Sequence, residues 1–588
     1  MGAVLLADGT TFRVWAPFAE AVAVAGDFND WSPDAAPLAS ENNGYWSIHL
    51  RGVGKGTEYK FVIRSDGATL WRNDPHARVV THSAGKSVVH DTSFDWGVAP
   101  YRTPPWNEMV IYELHVGTFN DAPGGRAGSF ETVVSRLPYL ESLGINAVEL
   151  LPSMEFATDF SWGYNPAHIF AIEQAYGGPD ALKRLVRAAH ERGIAVIFDV
   201  VYNHFGPSDL DLWRFDGWGE KGGIYFYNDR RCQTPWGETR PDYGRAEVRA
   251  FIADNARMWL EEFRFDGLRW DATAFVRNIY GNEGDPANDI PDGWRVMQQI
   301  NHETKERQPW KLQIAEDLRS SQWITRDPSE GGAGFDAQWD PEFVHPVRAA
   351  MIAPSDGGRN MEDLAKAISY RESGGAFRRI IYTESHDEVA NGKARLPEEI
   401  WPRNAGSWFS RKRSTLGAAL VFTSPGIPMI FQGQEILEDA WFHDRDPVDW
   451  SKEETYGGVL RLYRDLIRLR RNWHGTTRGL IGQHVNVYHL NDDDNVIAFH
   501  RWDRGGPRDD VVVVINVAHR SYDNYRIGFP RRGEWRVRFN SDWLGYGEDL
   551  GNHLGYDTVA EDSPSDTMAQ SGNVGIGPYS AVVYSQDE

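Results

Sequence analysis

The stretch Phe265-Asp266-Gly267-Leu268-Arg269-Trp270-Asp271-Ala272 carries an arginine and an aspartate two residues apart at the end of a short apolar run. On a strand, residues two apart point to the same face, so the Arg269 guanidinium is expected beside the Asp271 carboxyl. A guanidinium in that position keeps a carboxylate ionised and fixes its orientation. An ionised, oriented Asp at a strand end suits a nucleophile that attacks a sugar carbon. Taken alone, the pair reads equally well as a structural ion pair at a barrel rim. Three other stretches shift that balance: Asp199-Val200-Val201-Tyr202-Asn203-His204, Ile314-Ala315-Glu316-Asp317 and Glu384-Ser385-His386-Asp387-Glu388. Each has a structural explanation by itself; Asp199, for instance, could cap a helix. Acids at four strand ends in this order are much harder to reach by chance.

The elements that must hold these residues follow a repeating pattern. Met109 to His115 reads as a strand, Phe130 to Leu143 as a helix, and Gly144 to Pro152 as the next strand. A second helix, Pro179 to Arg192, leads to Ala195-Val196-Ile197-Phe198-Asp199-Val200, and a helix-like stretch from Ala253 to Phe263 precedes Arg269 and Asp271. Strand, helix, then Gly before an apolar run is the mark of βα units. The repeat continues to about residue 470, long enough for eight units, with strands expected near 110, 147, 197, 266, 313, 337, 381 and 429. An α/β fold closing as a (β/α)8 barrel is the natural result, and active sites in such barrels sit at the C-terminal ends of the strands.

Residues 1–98 read instead as short strands and turns, and residues 485–588 as a small antiparallel β domain flanking a barrel over 105–475. With 41% hydrophobic and 25% charged residues the chain is globular, and its 588 residues exceed one ordinary core. A net charge of -23 argues against nucleic acid or an anionic membrane as partner, and suits a neutral ligand such as a sugar. A single cysteine, Cys232, excludes an intrachain disulfide and fits a reducing compartment. No secretory signal or membrane-length apolar span is visible, so a cytoplasmic location is expected. No Gly-rich phosphate loop opens a helix after a strand, and no second His lies at helical spacing from His386. Neither a cofactor nor a catalytic metal is expected.

Together the four acidic stretches resemble those of the α-amylase superfamily, glycoside hydrolase family 13, and the resemblance runs over nearly the whole chain. It implies Asp271 as nucleophile, Glu316 as general acid/base and Asp387 as the residue that stabilises the transition state. It further implies that Arg269 holds Asp271 ionised, that Asp199 supports the site, that His204 and His386 bind hydroxyls of the cleaved sugar, and that Tyr164 stacks under its ring. The chemistry asks for the same set, since a retaining enzyme needs a nucleophile and a donor about 5–5.5 Å apart. The donor must stay protonated near neutral pH, which neighbouring carboxylates favour. Some members hold calcium around the position matching Asn203; the following segment has few clustered acids, and none is expected here. The first domain, with Gly26-Asp27-Phe28-Asn29-Asp30-Trp31 and Trp71 to Ala77, resembles the carbohydrate-binding module of branching enzymes, isoamylases and trehalohydrolases, and is expected mainly to brace the barrel.

The expected substrate is an α-1,4-glucan or a malto-oligosaccharide. Ser385 to Val389 with Gly392-Lys393, His443-Asp444-Arg445 with Asp449-Trp450, and Phe539 to Asp542 resemble glycogen branching enzymes. Asp199 to Pro207 looks like trehalohydrolases and isoamylases, Tyr112 to Phe119 is shared by both groups, and Asp317 stands where branching enzymes usually have a second Glu. The first expectation is a branching-type transglycosylase. The alternative is an α-glucan hydrolase, either amylase-like or one that releases trehalose from maltooligosyl trehalose. A catalytically inactive binding protein is disfavoured because no member of the acid set is missing.

Overall fold

The computed structural model describes residues 1–97, 101–121, 125–372 and 374–588. Eight parallel strands form its centre: β1 (Ile111–Leu114), β2 (Ala147–Leu150), β3 (Ala195–Val200), β4 (Gly267–Trp270), β5 (Leu312–Ala315), β6 (Ala337–Trp339), β7 (Arg379–Ile381) and β8 (Ile427–Phe431). They pair in chain order and close into a barrel where β8 meets β1. All eight expected strands are present. Most are continuous apolar runs because helices cover the outer face of a parallel barrel while side chains fill its interior. In-register neighbours bring polar side chains together inside: Asp199 pairs with Arg269 across β3 and β4, and Glu113 with Glu149 across β1 and β2.

The helix Phe130–Leu143 shows how local sequence sets an element. Its N-cap Ser129 accepts a hydrogen bond from the Thr132 backbone, and Gly144, at φ 100°, ends it in the left-handed region that favours glycine. Phe130, Val133, Leu137 and Leu140 recur three to four residues apart and are all buried. The helix expected from Ala253 begins earlier, at Ala246, and passes after Arg257 into a π-helical turn, Met258–Glu262. Arg245 precedes it without capping it, so the start carried no signal.

The N-terminal strands form two antiparallel sheets, one of Gly2–Leu6, Gly9–Trp15, Tyr45–Arg51 and Ala39–Ser40, the other of Ala21–Gly26, Glu58–Ser65, Ala68–Arg72 and Ser87–Val88. Phe12, Val14, Val24, Tyr59 and Phe61 fill the space between them. Residue 98, the expected end of this domain, lies outside the described residues. Bracing contacts run through Arg72, which donates to the carbonyls of Phe215 and Arg214 at 3.0 Å each, and through the Phe18 N–H, 3.0 Å from Asp216. Of the two aromatics in the 26–31 turn, Phe28 packs on Phe12, whereas Trp31 sits under Lys86 Nζ at 4.4 Å and beside the exposed Trp71.

The C-terminal strands build an antiparallel sheet of six plus a pair, Tyr522–Phe529 with Gln570–Ile576. Two fully buried arginines fasten the N-terminal end of the barrel, Arg501 from this domain and Arg470 from the last barrel helix, Gly457–Arg470. Arg501 donates to the carbonyls of Thr423, Leu480, Gly482 and His484, and Arg470 to those of Asn107 and Gly426. Among the described residues no helix is long and apolar enough to cross a membrane.

Candidate active site

The C-terminal ends of β3, β4 and β5 converge on one guanidinium. Arg269 is fully buried; its Nη1 lies 2.6 Å from Asp199 Oδ2 and 3.3 Å from Asp271 Oδ1, and its Nη2 lies 2.9 Å from Glu316 Oε2. Asp199 is within β3, whereas Asp271 and Glu316 each stand one residue past the end of their strand. Trp339, at the end of β6, covers the guanidinium 4.3 Å from its ring centre. Arg269 and Asp271 therefore meet as their spacing implies, although Asp199 is the closer partner.

The backbone turns sharply after the nucleophile candidate. Ala272 adopts φ 41°, a left-handed conformation that is costly for a residue with a Cβ. That turn aims the Ala272 N–H at Glu316 Oε2, 2.8 Å away. Both contacts of Glu316 fall on Oε2, so a transferable proton belongs on Oε1. Asn203 Nδ2 donates to Asp271 Oδ2 at 3.0 Å, which leaves the Asn203 carbonyl oxygen accepting from the His204 backbone. Among the described residues no group of three or more His, Cys, Asp and Glu side chains is arranged to hold a metal ion.

Burial sets the protonation of the two acids more than their neighbours do. It pushes the Asp271 carboxyl up to about 6, against the downward pull of Arg269. Arg269 thus limits the rise without holding Asp271 at its ordinary value, because a carboxylate only 8% exposed has lost most of its water. Burial raises Glu316 further, to about 7; Arg269 opposes the rise and the charges of Asp271 and Asp387 add to it. The neighbouring acids act in the expected direction, but desolvation is the larger cause.

Asp387 lies in the loop that follows β7, six residues past Ile381, with its side chain 44% exposed. His386 beside it is buried, with Nδ1 2.6 Å from Glu113 Oε1. Tyr164 is half-buried; its hydroxyl donates to Asp199 Oδ2 at 2.6 Å and its ring stacks on His386 at 5.0 Å. His204 is more enclosed than a hydroxyl-binding role implies. Its Nε2 lies 2.9 Å from the Tyr164 carbonyl and its Nδ1 3.1 Å from Asn203 Oδ1, so a sugar hydroxyl must displace or share one of these. Burial lowers its pKa to about 4, which keeps the ring neutral. Trp236, 42% exposed, stacks on the same ring at 4.5 Å.

All eight residues singled out from the sequence gather at this end of the barrel. Four more went unnoticed there: Glu113, Glu149, Trp236 and Trp339. A glutamate inside an apolar strand such as Ala147-Val148-Glu149-Leu150 is itself a signal, because a charge is buried there only at considerable cost. Burial drives the Glu149 carboxyl well above its usual range. Asp317, beside Glu316, is gripped at both oxygens by Arg277, at 2.9 and 2.7 Å.

Comparison with known proteins places the chain in a family. Profiles of the α-amylase catalytic domain, of carbohydrate-binding module 48 (isoamylase N-terminal domain) and of the α-amylase C-terminal all-β domain match residues 114–215, 1–77 and 487–587. The chain is 30% identical to a 1,4-α-glucan branching enzyme GlgB of Marinobacter nauticus over 96% of its length and 91% of that protein. It is 33% identical to one of Kitasatospora aureofaciens over 92% and 72%. Among solved structures, a putative α-amylase of Salmonella typhimurium superposes with TM-score 0.74 at 22% identity, covering 100% of this chain and 99% of that one. A pullulanase of Anoxybacillus in complex with maltotetraose gives 0.77 at 23% identity, covering 100% and 87%. The chain belongs to the α-amylase family of glycoside hydrolases and transglycosylases.

Proposed function

We propose that the chain cleaves α-1,4-glucosidic bonds of a starch- or glycogen-type glucan with retention, and passes the cleaved segment to a sugar hydroxyl as a branching-type transglycosylase. The observation that carries this reading is the single buried guanidinium touching acids from three successive strand ends. In the first step Asp271 attacks the anomeric carbon while the Glu316 proton passes to the departing glycosidic oxygen, leaving a glycosyl ester on Asp271. Glu316, now ionised, takes the proton of the incoming hydroxyl as its oxygen displaces the ester, which restores both acids. The ester to Asp271, Asp387 as stabiliser of the transition state, and contacts of Tyr164, His204 and His386 with the sugar are parts of this proposal. The acceptor reading is supported by the printed function of relatives that match nearly the whole chain.

A second reading, hydrolysis of α-glucans or of maltooligosyl trehalose, is favoured by one feature. Asp317 is shorter than the Glu usual in branching enzymes and is fixed by Arg277. Incubation with amylose separates the two. Falling iodine stain with flat reducing ends supports transfer. Reducing ends that rise in step with loss of stain mean that water is the acceptor. No change in either overturns activity on amylose and makes maltooligosyl trehalose the next substrate.

A further inference from the structure

The motif Tyr112 to Phe119 begins with β1, whose side chains alternate. Tyr112 and Leu114 pack outward with the helices, and Ile111 belongs to the inner layer. Glu113 also points inward, where apolar packing cannot explain it, and it is 1% exposed. Its two oxygens engage one residue: Oε2 accepts the His386 backbone N–H at 3.1 Å and Oε1 accepts from the ring Nδ1 at 2.6 Å. His386 follows β7, so the contact spans the seam where β8 closes on β1. With Nδ1 engaged, Nε2 is the remaining polar atom of the ring, and it stands 3.6 Å from Asp387 Oδ1. Tyr164 covers a ring face at 5.0 Å, and Trp162 and Trp339 flank it at 6.1 and 6.0 Å, so the imidazole is fixed in orientation.

We propose that Glu113 is a positioning residue for glycosyl transfer: by clamping both the main chain and the ring of His386 it maintains an imidazolium whose Nε2–H serves Asp387 and the bound sugar. This rests on the glucan-active reading above. A neutral imidazole donates through one nitrogen only; a carboxylate on Nδ1 favours the form that donates through both. Burial alone would lower the His386 pKa, but Asp387 and Glu113 outweigh it and raise it to about 9. Arg269 from β4 opposes them. Asp199 from β3, Glu149 from β2, whose pKa burial raises well above the usual range, His115, whose pKa burial lowers to about 4, and Tyr164, stacked on the ring with its own pKa raised by burial, also face it. The ring therefore keeps both protons through neutral pH and loses one as pH rises through about 9.

Glu113→Gln tests this in the full chain, since it preserves size and an acceptor for the backbone N–H while removing the charge. The His386 ring is followed by NMR with labelled histidine, beside turnover of amylose against pH. The pKa of His386 is expected to fall by about one unit or more. With it kcat falls about 10- to 100-fold, the loss of a charge-assisted hydrogen bond, KM changes little, and the alkaline limb moves to lower pH. Glu113→Asp keeps the charge and should recover the titration and part of kcat, which also covers the case in which the Gln variant fails to fold. An unchanged His386 titration, or wild-type kcat in Glu113→Gln, overturns the proposal, as does lost activity with no shift of the titration. If wild type leaves α-glucans untouched, the proposed function fails, while the NMR titration still decides whether the clamp exists.

Discussion

Arginines are buried at both ends of the barrel, and their surroundings differ in kind. At the C-terminal end Arg269 faces three carboxylates, whose charges raise its pKa well above the usual value although burial acts the other way. At the N-terminal end Arg470 and Arg501 bind carbonyl oxygens, and burial lowers both, Arg470 to about 9. Carbonyl dipoles fasten a cation without changing their own charge, so both act as staples, Arg501 between the C-terminal domain and the barrel and Arg470 within the barrel. Carboxylates near a cation change protonation, and Arg269 therefore sets the chemistry of its neighbours.

The contrast can be broken most severely at the nucleophile. Asp271→Asn should cut turnover of amylose by about four orders of magnitude while glucan binding persists, measured by single-turnover assay and by retention on amylose. Exchanging the two kinds of arginine sharpens it. Arg269→Met should lower kcat about a hundredfold or more as the three acids lose their cation. Arg501→Met should leave kcat within about twofold but cost about 3 kcal/mol or more by stranding buried carbonyls, visible as a lower Tm. If the Arg501 variant loses kcat at unchanged Tm, the distinction fails.

Glu316→Gln has a subtler signature. A carboxyl whose folded pKa is raised stabilises the fold in its protonated form; that contribution is complete below its unfolded pKa and is lost as pH rises through about 7. Gln does not ionise, so the Tm of the variant relative to wild type should grow between pH 5 and pH 8, with activity lost throughout. A constant difference would show that Glu316 is not buried as described. The smallest effect is expected for Tyr164→Phe. It removes the hydrogen bond to Asp199 and should cost about 1 kcal/mol of transition-state stabilisation, roughly tenfold or less in kcat/KM.

Much of the barrel was legible because parallel strands covered on both faces read as apolar runs; Ala195–Val200 and Ile427–Phe431 are fully buried. The C-terminal strands His484–Asn491 and Gln570–Ile576 carry a weaker pattern, because His, Asn, Gln and Gly interrupt their apolar residues. The acids Asp199, Asp271, Glu316 and Asp387 were readable from strand endings. The Glu113 clamp was not, since its partner lies 273 residues away and one strand's letters cannot reveal what faces it across a barrel. Nor could pairing predict protonation: the spacing of Arg269 and Asp271 shows the cation but not the lost water.

The seam between β8 and β1 bears on how the protein is made. The His115 N–H donates to the Gln432 side chain, the Gln432 N–H to the Glu113 carbonyl, and Glu113 holds His386. A ribosome releases the nucleophile candidate and the proton donor candidate more than a hundred residues before Gln432, and domains fold as units during synthesis. On a nascent chain Glu113 has no partner until the last quarter of the barrel emerges. A chain that ends before His386 carries Asp271 and Glu316 but lacks both the clamp and Asp387.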